Sequence, residues 1–289
     1  MSLSRKDYLA LLGILVLWAG NVIAIKLAVT ETEPLIAATL RFMCAGLLFL
    51  PFVKWPDRKT LSTIFQISML MNVLHIGTLF VALSMLDAAS VGILLQVQVI
   101  FATILGMVFF KETIRWRTWS GIGIAALGVV IMLGEPDLAS NPLGVGIMLF
   151  STFVLSLSYV KMKHLQRVHP ATYICLISLF AAPFTFAASL FVSPQGWVEL
   201  PSVNWPLFGS MLAYQSIIIS LTHIAWQRLM HKGDVGKVTA FTLLAPFFTI
   251  ILSVLFLGEH IEMPVIIGGI VTMIGVGIIT LRRIQKGIA

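Results

Sequence analysis

Apolar residues fall into ten long runs along this chain, at about 8–29, 35–53, 61–83, 91–110, 118–134, 143–160, 171–192, 205–227, 238–257 and 264–281. Each run is close to the roughly 20 residues a helix needs to cross the hydrocarbon core of a bilayer. No water reaches that core, so a spanning segment must satisfy its own backbone, and a run of this length does so as a helix. The pattern predicts an all-α integral membrane protein of ten transmembrane helices. The runs occupy most of the chain and leave no soluble domain.

Charge alternates from gap to gap. Of 19 Lys and Arg residues, 17 lie at the termini or in every second gap: Arg5 and Lys6; Lys54, Arg58 and Lys59; Lys111, Arg115 and Arg117; Lys161, Lys163 and Arg167; Arg228, Lys232 and Lys237; Arg282, Arg283 and Lys286. The gaps between hold Glu31 and Glu33, Asp87, Glu135 and Asp137, Glu199, and Glu259 with Glu262. Cytoplasmic loops retain Lys and Arg, so both termini are read as cytoplasmic, which needs an even number of spans. Lys26 and Arg41 break the rule and lie inside apolar runs.

A content of 58% hydrophobic and 11% charged residues excludes an ordinary soluble fold. The net charge of +7 follows from the loop bias, and its scatter over short loops excludes a nucleic-acid surface. Cys44 and Cys175 lie within spans and read as small apolar packers, so no metal and no cofactor is expected. The run after Arg5 and Lys6 is long for a signal sequence and no small-x-small cleavage site follows it, so it reads as the first span.

Shifting the sequence by 147 aligns 87–131 with 234–278 without a gap. Asp87 falls on Asp234, Phe101 on Phe248, Phe109 on Phe256, Glu112 on Glu259, Gly121 on Gly268 and Gly128 on Gly275. The unit holds five spans, an odd number, so its two copies would enter the membrane from opposite sides. The predicted architecture is two inverted five-helix repeats, 1–138 and 139–289. Secondary transporters are commonly built so, with the substrate site between the halves near the midplane. The fifth and tenth runs carry Gly121, Ala125 and Gly128, and Gly268, Thr272 and Gly275. Small residues at this spacing permit close helix approach, either within one chain or between two, so a monomer and a homodimer both fit.

These motifs resemble the drug/metabolite transporter superfamily in its ten-span EamA branch. Leu17-Trp18-Ala19-Gly20-Asn21 with Lys26 is similar to its first-span signature, and Pro34 with Arg41 to its second. Leu244-Ala245-Pro246-Phe247 and then Gly258-Glu259 resemble its ninth-span proline and the acidic turn that follows. The first-half slot for that proline holds Val99, so the fourth span is expected to lack the kink. Within the superfamily the chain is most similar to YddG-type exporters of aromatic and other neutral amino acids. That resemblance implies an inner-membrane location and a substrate range that extends to some aromatic cations.

Polar side chains within spans are costly and mark cavities or helix contacts. Ser68, Asn72 and His75 share one face of the third span. Ser216, Ser220, His223 and Gln227 share one face of the eighth, with Tyr214 and Gln215 near mid-depth. Trp18 and Asn21 share one face of the first. Gln96 and Gln98, two positions apart, cannot both face the same centre. Substrate-binding candidates are therefore Trp18, Asn21, Lys26, Arg41, His75, Gln96, Gln98 and Tyr214, with Phe247 and Phe248 as an apolar wall opposite. Pro246 and the four glycines are packing or gating elements. Lys26 could instead reach the headgroups or pair with Glu31 or Glu33.

No Asp or Glu lies in mid-span, which disfavours carboxylate-coupled efflux of cations and leaves His75 as the candidate proton carrier. No His-Glu-x-x-His, paired carboxylates or nucleophile elbow supports an enzyme. The sequence is best read as an exporter of small zwitterions, amino acids above all, by alternating access and without a coupling ion. Efflux of cationic compounds in the same fold is the alternative. The expected partners are a small-molecule substrate and membrane lipid.

Overall fold

The computed structural model describes residues 4–111, 115–163, 165, 168–232, 238 and 241–285. Glu112 and Asp234, two of the acidic positions of the repeat, lie outside the described residues. Among those described, the chain is helical and has no strand.

Ten apolar helical stretches occupy the ten runs. They are α1 (Arg5–Glu31), α2 (Pro34–Phe49), α3 (Arg58–Met85), α4 (Ala88–Phe110), α5 (Trp116–Met132), α6 (Pro142–Met162), α7 (Pro170–Val192), α8 (Trp205–Lys232), α9 (Phe241–Leu257) and α10 (Met263–Gln285). Eight are long and apolar enough to cross a membrane, while α5 and α9 are shorter. Short helices Pro136–Ser140 and Pro194–Glu199 lie in connections. Starts are written in the sequence: α2, α6 and α7 each open with a proline, whose missing N–H would have no partner there anyway. Asp57 caps α3 at the N–H of Lys59, and the Thr60 hydroxyl bonded to its carboxylate holds its pKa below the usual value.

Four helices depart from regular α geometry, three of them within their length and α9 at its start. A π-helical segment, Met69–Ile76, divides α3, and another, Tyr214–Ile218, divides α8. The helix α9 opens with a 3-10 turn over Phe241–Leu244 before Ala245–Leu257. Contrary to expectation, α4 is also broken, at Leu95–Gln96 between Ala88–Leu94 and Val97–Phe110. No proline is needed there. The N–H groups of Gln98 and Val99 turn back to the carbonyls of Leu95 and Gln96 at 3.2 and 3.0 Å, so tight turns carry the break. The two described residues with positive φ, Lys111 (53°) and Gly258 (66°), end α4 and α9 at the repeat offset of 147.

The helices pack α5 on α10, α2 on α7, α1 on α9 and α8, and α6 on α4 and α3. Exchanging each helix for the one five places along leaves that set unchanged. The α5–α10 contact is the closest. A Cβ on Gly121 would lie 2.9 Å from the Gly275 carbonyl oxygen, and one on Gly128 would lie 2.5 Å from that of Gly268. The glycine stripes thus meet each other within one chain. The outside of the bundle is apolar, with Phe191, Leu255, Val130 and Ile274 exposed, a surface suited to lipid. Hydroxyls are turned inward, among them Ser151, Thr152, Ser156 and Ser158 of α6.

Gly128→Val must force two backbones apart and should cost several kcal/mol (about 1–3, or more, for an overpacked core). Gly123→Ala, on the same helix with open space around it, should be neutral or slightly stabilising. Thermal unfolding in detergent compares the two.

Candidate functional site

The side chain of Arg41 is the most demanding group in the bundle. Helix α2 carries it into the protein, and its guanidinium lies 6.0 Å from the ring of Phe42 and 5.9 Å from that of Phe80. Those ring faces attract a cation, which eases its burial. They do not supply an acceptor: Nη1 is buried and has no hydrogen-bond partner. No carboxylate among the described residues is paired with it.

The π segment of α3 is tied to two neighbouring helices. Ser68 Oγ and Asn72 Nδ2 both donate to the Ile177 carbonyl of α7, at 2.6 and 3.0 Å. Buried His75 places Nδ1 2.8 Å from Ser151 Oγ and 3.2 Å from Ser151 O, on α6. A carbonyl only accepts, and the Ser151 hydroxyl gives its one proton to the His75 carbonyl at 2.8 Å. The ring must therefore donate from Nδ1, which leaves Nε2 as the acceptor of the neutral imidazole.

The matching segment of α8 leans on α1 and α2. Tyr214 donates its hydroxyl to the Leu17 carbonyl at 2.8 Å, against the bare face of Gly20. Ser216 Oγ lies 3.4 Å from the Arg41 carbonyl. Between them Gln215 is 2% exposed, and neither of its amide atoms has a partner. Asn21 Oδ1, on the next residue of α1 after Gly20, is likewise buried and unpartnered. Below this junction Trp18 donates to Thr222 Oγ1 at 2.9 Å, and its ring lies 5.1 Å from His223 and 4.9 Å from Trp226.

Other predicted residues sit elsewhere. Gln98 accepts from the Tyr159 hydroxyl at 2.9 Å, so it faces α6, while buried Gln96 lies in the break of α4. Lys26 caps a helix end. Its ammonium donates to the carbonyls of Leu83 and Leu86, at 2.8 Å each, where α3 stops. From the α9–α10 loop, Glu259 accepts from the N–H groups of Ala88 and Ala89 at 2.7 and 3.1 Å, where α4 starts. Asn141 adds a bond to the Met85 carbonyl at 2.9 Å. The α3–α4 turn is thus held from three directions. Tyr214 acts as a strut through its own hydroxyl. Phe247 falls on an exposed stripe with Leu244, Ile251, Val254 and Leu255, the face a helix turns to lipid, while Phe248 is partly buried. Pro246 is buried in the first turn of the main segment of α9.

Tyr214 and Ser216 thus bring the α8 π segment against α1 at Leu17 and Gly20 and against α2 at Arg41, and Trp18 packs on the same α8 helix at Thr222 and His223. Gln215 and His223 belong with them. The sequence signal for Gln215 was an amide at mid-span, but α-helical spacing set it off the polar face of Ser216, Ser220 and His223. What marks it in the structure is a fully buried amide with neither atom bonded.

The EamA-like transporter family matches the chain twice, over residues 5–134 and 142–281. An uncharacterized transporter of Archaeoglobus fulgidus is 24% identical over 98% of this chain and 100% of its own length. A probable amino-acid metabolite efflux pump of Escherichia coli K12 is 23% identical over 94% of both chains. A solved crystal structure shares the fold at a TM-score of 0.62 and 17% identity, covering 96% of this chain and 99% of that one.

Lys26→Met and Glu259→Ala should each lower stability by about 1–2 kcal/mol, the scale of a lost helix cap. Neither should raise the half-saturation concentration for transport. Detergent unfolding and proteoliposome kinetics on the same preparations check both halves of this expectation.

Proposed function

This chain belongs to the EamA-like transporter family, and we propose that it exports small zwitterionic metabolites, neutral and aromatic amino acids above all, across the inner membrane. It is a multi-pass membrane transporter. In this reading all ten helices span the bilayer with both termini in the cytoplasm. The two five-helix halves are inverted copies that rock about a midplane site. The double family match, the helix contacts that survive exchange of the halves, and the paired interruptions of α3 and α8 and of α4 and α9 all support it.

The observation that carries the substrate class is Arg41: a buried guanidinium with an open Nη1 and no carboxylate beside it. An anionic group on the substrate completes it, whereas a purely cationic compound is repelled. The rings of Phe42 and Phe80 flank the guanidinium from the core, and partly buried Trp18 gives nearby apolar surface. The relative named as an amino-acid metabolite efflux pump points the same way. Export runs down the substrate gradient, because no mid-span carboxylate is present to carry a proton. His75 is the one candidate carrier, and its Nδ1 proton is engaged by Ser151.

Counterflow in proteoliposomes tests the proposal. Vesicles preloaded with unlabelled Phe, Met or Thr should accumulate labelled amino acid without a proton gradient, and methyl viologen and ethidium should compete poorly. Movement of the cations alone, and only under an imposed gradient, would replace this reading with proton-linked efflux and direct attention to His75. Arg41→Met should reduce amino-acid transport about tenfold or more, the size of one charged hydrogen bond, with folded protein retained.

A further inference from the structure

Four buried polar atoms around the α8 π segment have no hydrogen-bond partner: Asn21 Oδ1, Arg41 Nη1, Gln215 Nε2 and Gln215 Oε1. A fifth, Ser90 Oγ, sits apart in the first turn of α4. Leaving one such group open costs about 1–3 kcal/mol, and a charged one more. Native interiors satisfy nearly all of theirs, so a cluster of open groups marks a place that something else fills.

The three side chains come from different helices, whose backbones the fold brings to one junction. Tyr214, just before Gln215, is bonded to Leu17 and packed on Gly20, the neighbour of Asn21. Ser216, just after it, touches the backbone of Arg41. Gln215 is held between the residue that anchors α8 to α1 and the residue that anchors it to α2.

Their chemistry is mixed. Arg41 can only donate, and it bears a positive charge. Gln215 offers one donor and one acceptor whichever way its amide is turned, and Asn21 Oδ1 as placed is an acceptor. A simple anion would leave the two carbonyl oxygens open. A simple cation would leave Arg41 open and would be repelled by it. A molecule with a carboxylate and an ammonium a few ångströms apart closes all four.

We propose that Gln215, with Asn21, reads the α-ammonium group of the substrate while Arg41 holds its carboxylate, so that transport requires a free α-amine. This inference rests on the amino-acid reading above. Neutral carbonyl oxygens suit the task in a carrier, since they orient an ammonium without trapping it as a buried carboxylate would. Gln215 is then a specificity-determining residue, and Arg41 alone is not sufficient for selection.

Counterflow of labelled Phe provides the test, with unlabelled Phe, 3-phenylpropionate (no amine), N-acetyl-Phe (amine blocked) and phenethylamine (no carboxylate) as competitors. The wild type should prefer Phe over 3-phenylpropionate by about tenfold or more, the ratio expected for lost hydrogen bonds to a charged group. N-acetyl-Phe and phenethylamine should also compete poorly. In Gln215→Met the half-saturation for Phe should rise by much more than inhibition by 3-phenylpropionate weakens, so the preference collapses. Gln215→Asn, which keeps a neutral amide with its acceptor oxygen, should retain part of it. Equal competition by Phe and 3-phenylpropionate in the wild type would overturn the inference and leave amino-acid export standing, and this result needs no variant to fold. An unchanged preference in Gln215→Met would overturn the role of Gln215. Absence of any amino-acid counterflow in the wild type would defeat the export reading itself, and this inference with it.

Discussion

A bilayer offers no water to an unpaired polar group, and that constraint organises this molecule. Hydroxyls on the spanning helices mostly turn back on their own backbone, as Thr39 does to Leu35, Thr103 to Val99 and Thr249 to Ala245. Others tie helix to helix, as Ser68 and Asn72 do at Ile177 and Ser156 does at the Gln98 carbonyl. Against this background the open atoms of Asn21, Arg41 and Gln215 stand out. Their energetic cost, gathered at one junction while Ser90 Oγ stands alone in α4, is the reason to seek a ligand there.

The same constraint explains where the backbone departs from a regular α-helix. A π segment or a tight turn leaves carbonyl and N–H groups misaligned, which lipid would penalise. These interruptions lie in α3, α4, α8 and α9, the helices packed on α1 and α6. The pair with the closest backbone approach, α5 and α10, is uninterrupted. Its glycines leave no room for sliding. We read α5 and α10 as the fixed seam of the bundle.

Charge divides by position along the helix. Lys26 and Glu259 lie at helix ends, where unpaired carbonyls and N–H groups give each an immediate partner of the right polarity. Arg41 lies two turns inside α2, where every backbone group is already bonded. It finds aromatic faces but no acceptor. Two cations that both break the loop charge pattern thus have different roles, and the difference comes from their depth.

Hydropathy is a sum over neighbours in the chain, and the burial of a helix in lipid depends on that sum. The sequence by itself therefore determined the helical stretches, the basic and acidic gaps, the glycine stripes and the offset that links the halves. It also marked Arg41, because a cation inside an apolar run is anomalous wherever the run packs. Partners depend on distant segments, and only the tertiary structure decided those. Lys26 became a cap when the end of α3 came within reach, and Tyr214 became a strut when α8 met Gly20. The break in α4 formed through tight turns without the proline that marks α9. Gln215 became a candidate because both of its amide atoms are buried without a partner. Periodicity in sequence assigns a face to a residue but not a partner, and a polar atom left without one is visible only once the helices are packed.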